Sequence, residues 1–162
     1  MEVKVQVVAL VPNPELGSVL VVLREEQASK SEARMIPIYV GWLEGGAILM
    51  GVEKIKAPRP FTHDLFKNVL SGYAITVEKI VITDMKETTF YAFLYTKSAD
   101  REIKVDARPS DAIAIALRLG CPIYVEDHVF EKANVAPQQN EDPEEAYGRM
   151  LDAMDPEKMP KA

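Results

Sequence analysis

The sequence predicts an α+β domain: a mixed, largely antiparallel sheet packed by helices, with a short C-terminal tail helix. Three observations carry this. First, the apolar, β-branched runs VKVQVVALV and SVLVVLREE flank the turn former PNPELG, which gives an N-terminal hairpin. Second, the strand-like runs AITVEKIVITDM, TTFYAFLYT and REIKVDA are separated only by the polar links KE and KSAD, which suits a central three-strand antiparallel meander. Third, the segments around Leu43, Asp64 and Ile113 carry helical spacing or all-round apolar character.

After the hairpin, EEQASKSEAR is polar and aperiodic, an exposed loop, and MIPIYV is a short apolar strand. GWLEGGAILMGVEK has helical spacing at Leu43, Ala47, Met50 and Lys54, yet contains Gly45, Gly46 and Gly51. Each interior glycine costs a helix roughly 0.5–1 kcal/mol relative to alanine, so packing must compensate. APRPF interrupts the chain, and Thr62 reads as the N-cap of a helix HDLFKNVLSG with Asp64 in its first turn. In DARPSDAIAIALRLG, Pro109 stops a strand and Ser110 reads as the N-cap of a second helix. Ala112 to Leu117 cover every side of that helix, so it should be buried nearly all round, against the sheet on one face and the glycine-bearing helix or a second subunit on the other. PIYV at 122–125 supplies the last strand, and EDHVFEKANV a short helix or turn.

Residues 1–135 form the predicted domain, and residues 136–162 an acidic linker followed by the tail helix PEEAYGRMLDAM. Of the net charge of −6, the tail holds 7 acids against 3 bases, so the body is nearly neutral. No Lys/Arg-rich run exists, which argues against strong non-specific binding to phosphate backbones. No apolar run approaches the ~20 residues of a membrane span, and the opening segment does not read as a secretory signal. Cys121 is the one cysteine, so no intrachain disulfide can form and a cytoplasmic location is expected. PIYV and the dipeptide Arg-Pro each occur twice, from a decayed duplication or from the same local grammar used twice.

No phosphate-cradling glycine loop, paired-cysteine zinc spacing or serine elbow is present. What remains is the pair of Arg-Pro segments. Arg59, Thr62, His63 and Asp64 fall together in the first, and Asp106, Arg108, Ser110 and Asp111 in the second. Asp64, Asp106 and Asp111 have the hard oxygen chemistry that suits Mg²⁺ or Mn²⁺. Arg59 and Arg108 can grip a phosphate in fork geometry, and His63 can move a proton near neutral pH. Together they suit metal-assisted phosphodiester cleavage, with His63, Asp64, Asp106 and Asp111 catalytic. The same residues also serve plain architecture: a cap, a helix-dipole acid worth roughly 0.3–1 kcal/mol, and an arginine paired with Asp106, Asp64 or Asp111. Tyr91, Phe93 and Tyr95 share one strand face and fit a core or interface, or a base-stacking platform.

RPFTHDLFKNVL, TTFYAFLYT, EIKVDARPSDAIAIALRLGCPIYV and IPIYVGWLEGGAILMGVE, in combination, resemble the bifunctional nuclease domain family over about residues 2–135. The resemblance implies an α+β fold and nuclease activity on both DNA and RNA, with nucleic acid as the partner. His63, Asp64, Asp106, Arg108, Ser110 and Asp111 match motif positions of that family, while Gly45 and Gly46 stand where a stronger helix former is usual. Two functions follow as expectations. One is a divalent-metal-assisted nuclease of little sequence preference, as a homo-oligomer. The other is a non-catalytic oligomeric binding module whose Arg-Pro motifs are structural.

Overall fold

The computed structural model describes residues 1–29 and 32–133, so the expected tail helix lies outside the described residues. Strands β1 (Glu2–Asn13) and β2 (Ser18–Glu25) form the N-terminal hairpin, and β3 (Met35–Gly41) pairs antiparallel with β2. Helices α1 (Trp42–Val52) and α2 (Thr62–Gly72) follow. Then β4 (Thr76–Lys86), β5 (Thr89–Lys97) and β6 (Glu102–Ala107) build the meander. Helix α3 (Pro109–Leu119), β7 (Ile123–Glu126) and α4 (Asp127–Lys132) complete the described chain. The seven strands form one sheet in the order β3-β2-β1-β7-β4-β5-β6. All pairings are antiparallel except β4 with β7. By inserting between β1 and β4, β7 fuses the hairpin half and the meander half into one sheet.

Strand alternation assigns the two faces. Val21, Ile38, Leu10, Val125, Ile82 and Ala92 are buried on one face, where α1 and α3 pack. Burial of these aliphatic side chains, at roughly 25 cal/mol per Å², is the main source of stability. Residues one step out of phase, including Phe93, Tyr95, Lys104 and Asp106, lie on the opposite face. Tyr91, Phe93 and Tyr95 are therefore not core residues: Lys104 stands 4.0 Å over the Phe93 ring and Lys79 4.8 Å over Tyr95. The lysine ammonium groups themselves sit over these rings, and that of Lys79 also donates to both carboxylate oxygens of Glu2, at 2.8 and 2.6 Å.

Helix α3 is buried as its composition requires. Ala112, Ile113, Ala114 and Ala116 have no exposed surface, and α1, α2, β4 and β5 all pack around it. Its start differs from the expectation. The N-cap is Arg108, Pro109 occupies the first turn, and Ser110 is a buried residue inside the helix. Proline at the helix entry already has the required φ and lacks only an N–H that would be orphaned there, so no serine cap is needed. Helix α2 likewise begins one residue earlier than expected, with Phe61 as N-cap and its N–H donating to Asp64 at 3.1 Å.

The glycines of α1 are places of close approach. A methyl on Gly51 would lie 2.9 Å from the Leu117 Cβ, so this glycine sets the spacing of α1 against α3. A methyl on Gly45 would lie 2.5 Å from Val19 Cγ2, and Val19 has no exposed surface into which to move. Gly45→Ala should therefore destabilise the protein by about 1–2 kcal/mol, because the overpacking penalty exceeds the helix-propensity gain of up to ~1 kcal/mol. Chemical denaturation measures this directly, and a variant as stable as the parent would contradict the packing account.

Candidate functional site

The first turns of α2 and α3 meet at one corner of the helical layer. His63 and Asp64 are adjacent at the start of α2, while Asp111 and Arg118 stand two turns apart on the same side of α3. His63 Nε2 lies 3.0 Å from Asp111 Oδ1. Arg108 Nε donates to the other Asp111 oxygen at 2.7 Å, and its Nη1 donates to Glu44 of α1 at 3.2 Å. Arg118 Nε donates to Asp64 at 2.7 Å while its Nη1 donates to the backbone oxygens of Ala47 and Ala114, both at 2.9 Å. The Arg118 side chain is only 7% exposed, so a single guanidinium ties α1, α2 and α3 together.

The electrostatics follow from these contacts. Burial alone would raise the Asp111 carboxyl, but the hydrogen bonds from Arg108 and His63 outweigh it and hold Asp111 below its ordinary value of 3.8. Asp64 is also lowered: burial opposes ionisation there too, and the Arg118 and Phe61 donors overcome it. Because both folded-state values lie below the unfolded one, their stabilisation is fully present above about pH 4 and is lost as the pH falls through the folded values. Acid should therefore release the start of α2 first. Hydrogen exchange of α2 amides at neutral and acid pH tests this, and unchanged α2 protection relative to α3 in acid would refute it.

The structure brings together His63, Asp111 and Arg108, with Asp64 close by on Arg118. Asp106 does not join them. It pairs in register with Phe93 and so lies on the sheet face away from the helices. Arg59 lies in the exposed link before α2. Among the described residues no group of three or more His, Cys, Asp or Glu side chains can hold a metal ion. Asp64, Asp106 and Asp111 thus do not fit one ion as a ligand set, because two are engaged by arginines and the third faces elsewhere. Glu44 and Arg118 were not among the residues expected from sequence. Arg118 had a signal: it is the charge at the far end of an otherwise apolar helix, seven residues after Asp111. Glu44 had none, because its role depends on how α1 packs.

Two surface hollows lie elsewhere, one of about 340 Å³ beside Arg34 and Phe130, the other of about 180 Å³ beside Tyr95 and Lys104. Neither is lined by His63 or Asp111, and it is the chemistry rather than the concavity that makes the corner a candidate site. Cys121 offers no nucleophile, since burial pushes its thiol up to about 11. Among the described residues no helix is long and apolar enough to cross a membrane.

Fold and site together define an α+β domain with a half-buried carboxylate–histidine pair and a 65% exposed arginine at the entry of its central helix. A model of the bifunctional nuclease domain matches residues 21–138, and the chain belongs to that family. It is 39% identical over 134 residues to two uncharacterized proteins of Mycobacterium tuberculosis, covering 76% of this chain and 80% of each of them. It is 32% identical over 108 residues to Bifunctional nuclease 1 of Oryza sativa subsp. indica, covering 65% of this chain and 32% of that protein. Identity to Bifunctional nuclease 2 of Arabidopsis thaliana is 26% over 98 residues, 59% of this chain and 30% of that protein. The chain thus spans about a third of the plant relatives it matches.

Proposed function

We propose that the chain is a nuclease that cleaves phosphodiester bonds of RNA and DNA with little sequence preference, and that the His63 and Asp111 pair carries the chemistry. The observation behind this is the 3.0 Å contact between His63 Nε2 and an ionised Asp111, beside the exposed Arg108. Asp111 accepts from Nε2, which leaves the lone pair of the neutral ring on Nδ1. In RNA, Nδ1 takes the proton of the 2′-hydroxyl, the 2′-oxygen attacks phosphorus and the 5′-oxygen departs, protonated by solvent. In DNA, water must replace the internal nucleophile. Asp111 steadies the imidazolium that forms, Arg108 meets the phosphate, and Arg59 is a second phosphate-binding candidate. The three acids do not fit one Mg²⁺ or Mn²⁺ ion, and the proton transfer proposed for His63 needs none.

The test is incubation of the purified chain with labelled single- and double-stranded RNA and DNA, with Mg²⁺, with Mn²⁺ and with chelator. RNA cleavage that survives the chelator is the expected result. Absence of cleavage of every substrate under every condition would overturn the reading. A second reading, a non-catalytic binding module, is favoured by one observation. Glu44, Asp64 and Asp111 outnumber Arg108 and Arg118, and all five are engaged with one another or with backbone. Such a corner is stable without a ligand and repels a polyanion while His63 is neutral.

A further inference from the structure

The sheet ends in two edge strands, β3 and β6, and only one of them is closed to further pairing. At β3, Glu25 N–H donates to the Arg34 carbonyl at 3.0 Å, so Arg34 and every second residue after it turn their backbone polar groups toward β2. The residues between them turn theirs outward. Pro37 is one of these and has no N–H to offer, which breaks the outer row at its middle. At β6, Ser98 N–H donates to the Arg101 carbonyl at 2.9 Å. Arg101, Ile103 and Val105 therefore turn their backbone groups toward β5, and Glu102, Lys104 and Asp106 present theirs outward. Residues 102–106 are all exposed and no proline interrupts them, so this row is a template for another strand.

The side chains of β6 are unspent as well. Lys104 lies over the Phe93 and Tyr95 rings, at 4.0 and 5.5 Å, and neither it nor Asp106 makes an ion pair among the described residues. Ile103 and Val105 lie across from Thr96 and Leu94, which are buried, yet are themselves 46% and 39% exposed.

We infer that β6 pairs antiparallel with β6 of a second copy of the chain, about a two-fold axis that passes through Val105 perpendicular to the sheet. In that register Lys104 stands opposite the partner's Asp106 and Asp106 opposite the partner's Lys104, so each unspent charge meets its complement twice. Other registers fail. Centred on Lys104, the pairing opposes two lysines and sets Glu102 against Asp106. Centred on Ile103, it carries Asp106 beyond the strand to Asp100. The Val105 axis also suits the backbone, because the outward groups of Lys104 and Asp106 fall at the hydrogen-bonded positions of the new ladder. The two Val105 side chains then meet in the closer, non-hydrogen-bonded pair, with about 4.5 Å between Cα atoms. A strand from elsewhere in this chain does not fit, since residues 134–162 contain four prolines and Val135 as the sole β-branched residue. A foreign strand requires no two-fold symmetry of its partner, whereas the charge pattern of β6 is its own complement. This inference stands independently of the nuclease reading.

Sedimentation velocity on the full chain, over a concentration series, tests it. The parent should pass from monomer to dimer as concentration rises. Lys104→Glu and Asp106→Lys should each stay monomeric with an unchanged far-UV circular dichroism spectrum, since each opposes like charges twice across the axis. An equimolar mixture of the two should dimerise, because every charge then faces its opposite. If either variant loses its fold, cross-linking keeps the test. Val105→Cys should form a disulfide-linked dimer on mild oxidation, because a disulfide spans Cα separations of about 4.4–6.8 Å. Ile103→Cys should not, because the two copies of that position stand four residues, or roughly 13 Å, apart along the strands. The parent, whose one cysteine is Cys121, is the control. A parent that is monomeric at every concentration overturns the inference. So do folded charge variants that sediment like the parent, or cross-linking through position 103 in place of 105.

Discussion

His63→Gln should lower RNA cleavage by about 10²–10⁴-fold, the usual contribution of a positioned general base. The choice of glutamine separates chemistry from architecture. Its side-chain amide can still donate to Asp111 and so keep the contact between α2 and α3 that His63 makes at 3.0 Å. It cannot take up a proton at neutral pH. A purely structural His63 would therefore tolerate glutamine, with activity and melting temperature both near those of the parent. Asp111→Asn should also lose activity, but with loss of stability as well, because an uncharged amide offers one acceptor oxygen where the carboxylate serves both Arg108 and His63. The two variants together discriminate. If His63→Gln cleaves at the parental rate, the pair is a strut of the fold and the proton transfer lies elsewhere.

Of the three acids expected as partners of Arg108, only Asp111 pairs with it, at 2.7 Å, while Asp64 is held by Arg118 and Asp106 faces the other side of the sheet. That pairing was legible because both residues lie within one turn of the same helix start, where local geometry leaves few alternatives. The hairpin, the meander and the buried α3 were legible for a similar reason: turn residues and periodicity act over short distances. The central place of β7 was not, since a parallel pairing with β4 joins residues 43 apart in sequence, such as Ile80 and Ile123, and leaves no local signature. The helix starts were misread by one or two residues because Ser110 and Thr62 have capping chemistry, whereas Pro109 and Asp64 do the work in the fold. The cluster of three acids failed for a reason of parity. Asp106 is on a strand, where its register with Phe93 fixes its face, and only one residue's difference in phase separates that face from the helical side.

Arg118→Met should be the most damaging single change to the fold at this corner, at about 3 kcal/mol. Methionine keeps the unbranched stem and the helix propensity, so what is lost is the guanidinium itself. The Arg118 side chain is 7% exposed, and it donates hydrogen bonds to all three helices of the layer. Ala47 and Ala114 retain their helical hydrogen bonds when it leaves, but Asp64 is left as a partly buried carboxylate whose nearest opposite charge is gone. Breaking one side of such a pair is more harmful than removing both, because the remaining charge stays desolvated. Two consequences separate this account from general loss of packing. Asp64→Asn in the Arg118→Met background should recover part of the lost stability, since it removes the orphaned charge. The loss should also be concentrated in α2, whose amides should exchange faster while those of the sheet keep their protection. Because His63 sits beside Asp64, the same loosening should lengthen the contact with Asp111 and reduce cleavage although Arg118 touches no substrate. A double variant no more stable than Arg118→Met, with exchange raised evenly through the protein, would show that Arg118 serves as packing volume and not as the clasp of the three helices.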